Sequence, residues 1–189
     1  MGSAPLPDTE SQPPVTPLAR AEHSRFVQRI RRRYAAELPL LPPGLPRRDI
    51  ITTLVATLRA QGRPLASALR VARQLVLERL AVLDIEQGAA MGDITLAMTE
   101  LAEATLDLAL AQAQAEQAVR HGLPRTATGG DIEFWVVGMG KLGARELNVS
   151  SDIDLVYVYE DDGQTDGPQP ISAHEFFSQV ARSLYSLIG

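Results

Sequence analysis

Apolar residues recur at steps of three and four over much of the middle of the chain. One stripe has arginines off its apolar face, as in an amphipathic helix, and consists of Leu65, Leu69, Ala72, Val76, Leu80 and Leu83. A second stripe crosses an alanine-rich segment of high helix propensity and consists of Ile94, Met98, Leu101, Leu108, Ala115 and Val119. Gly88 and Gly92 separate the two stripes, and Asp93 is predicted to cap the second helix. Together the stripes predict an antiparallel helical hairpin.

The period of the pattern changes after Gly129 and Gly130. Residues 132–137 and 154–159 are short apolar runs, which predicts two strands. A glycine turn and a short helix lie between them, and an acidic, Gly/Pro-rich loop follows. Ser172 and Glu175 have the spacing of a capping box and predict the start of a last helix. The predicted fold class is therefore α+β.

The pattern divides the chain into three regions. Residues 1–48 combine a disordered, Pro-rich lead-in with a short basic helix, residues 49–128 form a helical region, and residues 129–189 begin the domain that contains the strands. The arginines of the basic helix could contact nucleic acid or form a solvated face. The net charge of −5 favours the solvated face and argues against a nucleic-acid partner.

Composition excludes several kinds of site. The chain of 189 residues has no cysteine, which excludes disulfides and thiolate metal sites, and its three histidines make a histidine-based zinc cage a poor fit. It shows neither a long apolar stretch nor a signal-type N-terminus. We therefore expect a cytoplasmic protein with no membrane partner.

Two acids two residues apart are the strongest chemical signal. Asp152 and Asp154 open the second predicted strand, and side chains at i and i+2 of a strand point to the same face. Two like charges held together in this way repel each other, and folding alone does not require them. A divalent cation such as Mg²⁺ would neutralise both and use their oxygens as ligands. The pair is thus predicted as a metal site and as the catalytic centre.

The glycine turn before the acids has two interpretations. Residues 138–143 match G-x-G-x-x-G after a strand, the dinucleotide fingerprint, with Glu160 placed to hold a ribose. Alternatively, the backbone N–H groups of Gly143 and Ala144 cradle phosphate at a helix N-terminus. The acid pair favours the second interpretation, because a short helix followed by D-x-D on a strand is the pattern of polymerase-beta-like nucleotidyltransferases.

The segment 138–155, GMGKLGARELNVSSDIDL, closely resembles the signature of the bifunctional glutamine synthetase adenylyltransferase/adenylyl-removing enzymes. The resemblance implies a Mg²⁺-dependent nucleotidyltransferase that handles ATP, ADP and phosphate. It further implies glutamine synthetase as protein substrate and the PII signal protein as partner. Residues 148–151 resemble the N-terminal copy, which removes AMP from a tyrosine by phosphorolysis. Ser151 either hydrogen-bonds phosphate or caps the loop.

Two departures from the family pattern stand out. Ala144 occupies a position where the family usually has a second glycine, so its methyl group is expected to crowd a phosphate or to forbid a positive φ. The family's third carboxylate lies in a segment beyond the last helix. The chain is therefore expected to be an N-terminal fragment with an incomplete nucleotidyltransferase domain. A catalytically silent helical interaction fragment is the remaining alternative.

Overall fold

The computed structural model describes residues 20–189, so the predicted lead-in at 1–18 lies outside the described residues. Within this range the elements confirm the α+β class. The helices are α1 (Arg25–Arg33), α2 (Arg48–Ala60), α3 (Leu65–Gln87), α4 (Met91–His121), α5 (Gly140–Gly143) and α6 (Ala173–Ile188). The strands are β1 (Pro124–Arg125), β2 (Phe134–Gly138), β3 (Leu155–Tyr159) and β4 (Gln164–Thr165).

Helices α3 and α4 form the predicted hairpin. Gly88 ends α3 in the left-handed region with φ of 61°, which glycine adopts without steric cost, and three residues later α4 begins. Arg73 and Thr105 lie at equal sequence distances from this turn and line the same cavities, so the two helices run antiparallel. All six residues of the predicted α3 stripe are buried, and α2 packs across both helices.

The prediction for α4 is wrong in two details. The helix begins at Met91 with Ala90 at the N-cap position, so Asp93 lies inside the first turn. Ala115 and Val119 are exposed, whereas Ala109 and Ala113 are buried. Alanine occurs on every face of this segment, so its own pattern does not define the buried face. Packing against α6 and the other helices defines it instead.

Aromatic rings join the β2–β3 sheet to α6. Phe134 of β2 stacks on Phe177 of α6 with ring centroids 4.7 Å apart, and Tyr159 of β3 stacks on the same ring at 5.4 Å. Helix α6 begins as the capping box predicts, because the Ser172 hydroxyl accepts a hydrogen bond from the Glu175 N–H at 3.1 Å. Since α6 also packs on α4, it fixes the sheet to the helical region.

A second, two-stranded sheet was not predicted. Strand β1 pairs antiparallel with β4 inside the segment assigned to an acidic loop. Arg125 of β1 pairs with Asp131 and Asp166, and this guanidinium lowers the pKa of Asp166 below its usual value. Strands of two residues are too short to show an alternating pattern, so the sequence carried no signal for this sheet.

Helix α1 packs on α3 through the buried residues Val27 and Ile30. Arg31 forms an ion pair with Glu78 of α3 at 2.7 Å, while the other arginines of the helix are exposed. Among the helices of residues 20–189, none combines the length and the apolar character needed to cross a membrane.

Candidate active site

The glycine turn, α5 and the loop after it connect β2 to β3. The two strands pair antiparallel, with Gly138 opposite Leu155. One further hydrogen bond extends the pairing, because the Met139 N–H donates to the Asp154 carbonyl at 2.9 Å. Both ends of the connection are therefore fixed at the edge where the two acids lie.

The acid pair lies just before β3 rather than on it, because the strand begins at Leu155. The alternation of a strand nevertheless extends back through the pair. Asp152 and Asp154 are exposed, as are Val156 and Val158, and the residues between them are partly buried. Both carboxylates therefore lie on the same exposed side of the chain, which is the arrangement that the spacing predicted.

The donor set suits Mg²⁺ better than a metal that needs a closed protein cage. Residues 20–189 contain no group of three or more Asp, Glu, His or Cys side chains able to hold a metal ion. Mg²⁺ commonly keeps several waters and uses one or two carboxylates together with phosphate oxygens of the substrate. Asp152 and Asp154 together supply that number of carboxylates.

The dinucleotide-binding interpretation is wrong for this segment. It requires two parallel strands joined by a substantial crossover helix. Here β2 and β3 are antiparallel, and α5 has four residues. Glu160 accepts a long hydrogen bond of 3.5 Å from the N–H of Glu133, the residue just before β2. The glycines of the turn therefore belong to a short connection between antiparallel strands and do not form a dinucleotide-binding loop.

Gly143 lies against the backbone of β2. A Cβ atom added at this position would sit 2.5 Å from the Gly138 carbonyl oxygen, closer than real Cβ contacts. The Gly143 N–H donates to the Met139 carbonyl at 3.3 Å, and the Ala144 N–H donates to the Gly140 carbonyl at 3.0 Å. The predicted position at a helix N-terminus is wrong, because Gly143 is the last residue of α5 and Ala144 is its C-cap residue. For these two residues to bind phosphate, their N–H groups would also have to share their hydrogen bonds with it.

The expected conflict at Ala144 does not arise from backbone conformation. Ala144 has φ of −77°, which any residue adopts, and the positive φ falls one residue later, at Arg145, with a value of 60°. Arg145 ends α5 in a Schellman arrangement, in which the Glu146 N–H donates to the Lys141 carbonyl at 2.8 Å. The position that favours glycine is thus 145, not 144.

Replacing Gly143 with alanine should destabilise the turn, because the added methyl group displaces the end of β2. We expect a loss of about 1–3 kcal/mol in the free energy of unfolding, the usual range for overpacking. Gly92 in the first turn of α4 is a matched control, since nothing lies within 4 Å of an added Cβ. Gly92→Ala should raise stability by about 0.5–1 kcal/mol. Urea unfolding of both variants tests the opposite signs, and equal effects would contradict the assigned contact.

The loop after α5 is anchored on α4. The Leu147 N–H donates to the hydroxyl of the buried Thr99 at 3.2 Å, and the Leu147 side chain is 3% exposed. The Arg145 guanidinium donates to Glu103 of the same helix at 2.9 Å. These contacts connect residues distant in sequence, and a lone threonine in a helix gave no signal of this role.

Ser151 belongs to a hydrogen-bonded cluster beside the acid pair. Its hydroxyl donates to the Asn148 side-chain oxygen at 2.6 Å and accepts from the Lys141 amine at 3.4 Å. This supports the loop-capping role of Ser151. The same contact places the amine of Lys141 next to the candidate site.

A cavity of about 360 Å³ lies beside Asp152, the first acid of the pair. Asp152 and Ser151 line it from the loop, and Arg73 of α3 and Thr105 of α4 line it from the helices. Arg73 therefore brings a cation to the cavity that Asp152 borders. Arg73 lies off the apolar stripe of its helix, and no sequence pattern connects it with the site.

Known proteins match both the helical region and this site. The sequence model of the family described as glutamate-ammonia ligase adenylyltransferase matches residues 45–189. A protein of Burkholderia mallei is 48% identical over 126 residues, covering 66% of this chain and 14% of that protein. A protein of Aromatoleum aromaticum is 34% identical over 186 residues, covering 92% of this chain and 20% of that protein.

Both relatives are named bifunctional glutamine synthetase adenylyltransferase/adenylyl-removing enzyme. The chain spans 14 to 20% of their length. The match to the family model includes α2 to α6 and all four strands, and so contains the acid pair and the loop that carries it. The chain belongs to the glutamate-ammonia ligase adenylyltransferase family.

Proposed function

We propose that this chain carries the metal-binding part of a nucleotidyltransferase site that removes AMP from a tyrosine of glutamine synthetase by phosphorolysis. The observation that carries the proposal is the position of Asp152 and Asp154 on one exposed side of the chain, directly before β3. The antiparallel β2–β3 pair with its short helix supports a polymerase-beta-like fold, which is part of the proposal. The choice of the adenylyl-removing half rests on the resemblance of residues 148–151.

The residues of the site have distinct roles in this proposal. Bound Mg²⁺ would neutralise charge on the phosphate oxygens. Asp152 and Asp154 hold the ion, and Lys141, 3.4 Å from the Ser151 hydroxyl, adds a positive charge beside them. The anchored loop keeps both acids in place before substrate arrives, so little reorganisation is needed during the reaction.

The proposed reaction is a displacement at phosphorus. An oxygen of inorganic phosphate bonds to the phosphorus of the tyrosine-bound AMP, and the bond from phosphorus to the tyrosine oxygen breaks. The proton of the attacking phosphate passes to the tyrosine oxygen. The products are ADP and the free tyrosine, and no oxidant or further reactant is required.

The remaining assignments also belong to the proposal. ATP is the nucleotide of the opposite reaction, in which AMP is added, and glutamine synthetase appears as the target in the names of the relatives. The PII signal protein as regulator and the cytoplasm as location follow from the resemblance. A catalytically silent interaction fragment is the competing function, and it would bind glutamine synthetase through the helical region.

An assay of ADP release tests the proposal in the protein as it is naturally encoded. Adenylylated glutamine synthetase, phosphate and Mg²⁺ should yield ADP, and a chelator should lower the rate at least about a hundredfold, since metal stabilises the transition state by several kcal/mol. Omitting phosphate is the matched control and should abolish ADP formation. ADP release at full rate in chelator would contradict the metal role. Binding to glutamine synthetase without any turnover would favour the silent fragment.

A further inference from the structure

A cavity of about 670 Å³ opens between α1, α3 and the end of α6, and arginines dominate its wall. The charged residues that line it are Arg29, Arg33, Arg63, Arg70, Arg73 and Glu37. Arginine side chains thus outnumber acidic side chains by five to one in this lining, although the net charge of the chain is −5. We call this the arginine cavity.

Most of this positive charge is not neutralised by the protein. Arg63 pairs with Glu37. Arg29 and Arg33 lie over the rings of their neighbours Phe26 and Tyr34, at 5.8 and 5.6 Å, which leaves their charge in place. Arg70 and Arg73 are exposed, and within residues 20–189 their guanidinium groups make no hydrogen bond or ion pair.

The arginines come in pairs at helical spacing. Arg70 and Arg73 are three residues apart on α3, and Arg29 and Arg33 are four apart on α1, so each pair occupies one face of its helix. Like charges at these spacings destabilise a helix slightly. Folding therefore gives no reason for two such pairs to line one cavity, whereas an anionic ligand does.

The shape and chemistry of the cavity limit the ligand. Its volume falls in the range of about 300–1,000 Å³ typical of small-molecule sites, and it exceeds what a single phosphate needs. Guanidinium groups present paired donors that match phosphate oxygens. The side chains of Ile30, Leu187 and Ile188 supply an apolar wall. A compact molecule with several phosphate groups satisfies all three features.

We propose that the arginine cavity binds a small polyphosphate anion, and that Arg70 and Arg73 are its main ligands on α3. This site is separate from the acid pair and does not depend on the proposed function, because its charges attract phosphate without a divalent metal. Arg73 also lines the cavity bordered by Asp152, so a ligand held here lies beside the candidate active site. Inorganic polyphosphate and the phosphate chain of a nucleotide share this chemistry.

Titration calorimetry in chelator at low ionic strength tests the proposal, with inorganic tripolyphosphate as the probe. The double variant Arg70→Gln/Arg73→Gln should weaken binding at least about tenfold, because it removes two charges and the charge-assisted hydrogen bonds that they donate. Arg59→Gln/Arg120→Gln changes the net charge equally at two exposed arginines outside the cavity. That control should stay within about twofold of the wild type.

Further arms identify the ligand and guard against misfolding. Arg70→Lys/Arg73→Lys keeps the charge but loses the paired donors, so its affinity for tripolyphosphate should be lower than that of the wild type and higher than that of the glutamine variant. The lysine variant replaces the glutamine variant in the test if the glutamine variant does not fold. ATP binding more tightly than tripolyphosphate identifies a nucleotide, and equal affinity identifies inorganic polyphosphate. Absence of tripolyphosphate binding to the wild type, equal weakening by both glutamine pairs, or tighter binding of citrate than of tripolyphosphate would each overturn the proposal.

Discussion

Replacing either Asp152 or Asp154 with asparagine should lower phosphorolysis of adenylylated glutamine synthetase by at least about a hundredfold. The amide keeps the shape of the side chain but removes the charge that holds the cation. Losing one charged ligand costs several kcal/mol of transition-state stabilisation, and about 2.7 kcal/mol already corresponds to a hundredfold in rate. The rate of ADP release in the naturally encoded protein measures this loss.

The same variants should not unfold the protein. Both carboxylates are exposed and close in sequence, so replacing one removes a repulsion between like charges. The melting temperature without metal should therefore stay unchanged or rise, while any increase caused by Mg²⁺ should disappear. Asp84→Asn on the exposed side of α3 is the control and should change neither quantity. A slow variant that also melts early would show that the acids serve the fold rather than a metal.

The common orientation of the acid pair was predictable from the sequence, because side chains of an extended chain point alternately to its two sides. Residues 152–159 follow this period of two and are alternately exposed and partly buried. The stripe of α3 was also predictable, because its apolar residues recur at steps of three and four and arginines lie off that face. In the second half of α4, by contrast, alanines and glutamines are too evenly spread for a face to stand out. The helix therefore takes its buried face from its neighbours.

Contacts between distant segments were not predictable from the pattern. The hydroxyl of Thr99 receives the Leu147 N–H across 48 positions of sequence, and nothing about a single threonine indicates this. Arg73 reaches the cavity bordered by Asp152 only because α3, α4 and the loop pack together. The sequence thus indicated which side chains carry the chemistry, while the fold determined which helices support them.

The ring of Phe177 in α6 packs against both strands of the β2–β3 sheet. Replacing Phe177 with alanine should lower the free energy of unfolding by about 3–5 kcal/mol, the usual cost of removing a buried aromatic ring. Phe177 is 4% exposed and touches the rings of Phe134, Tyr159 and Phe176. The change therefore removes three aromatic contacts as well as apolar burial.

Urea unfolding and thermal melting measure this loss, and a domain of this size should melt about 10 °C lower. Tyr185→Ala on the same helix is the matched control, because Tyr185 is 68% exposed, and it should cost less than about 0.5 kcal/mol. A similar loss in both variants would mean that helix propensity rather than ring packing holds α6. If only Phe177→Ala is destabilised, ring packing holds α6 against the inner side of β3. Asp152 and Asp154 continue the outer, exposed side of the same strand.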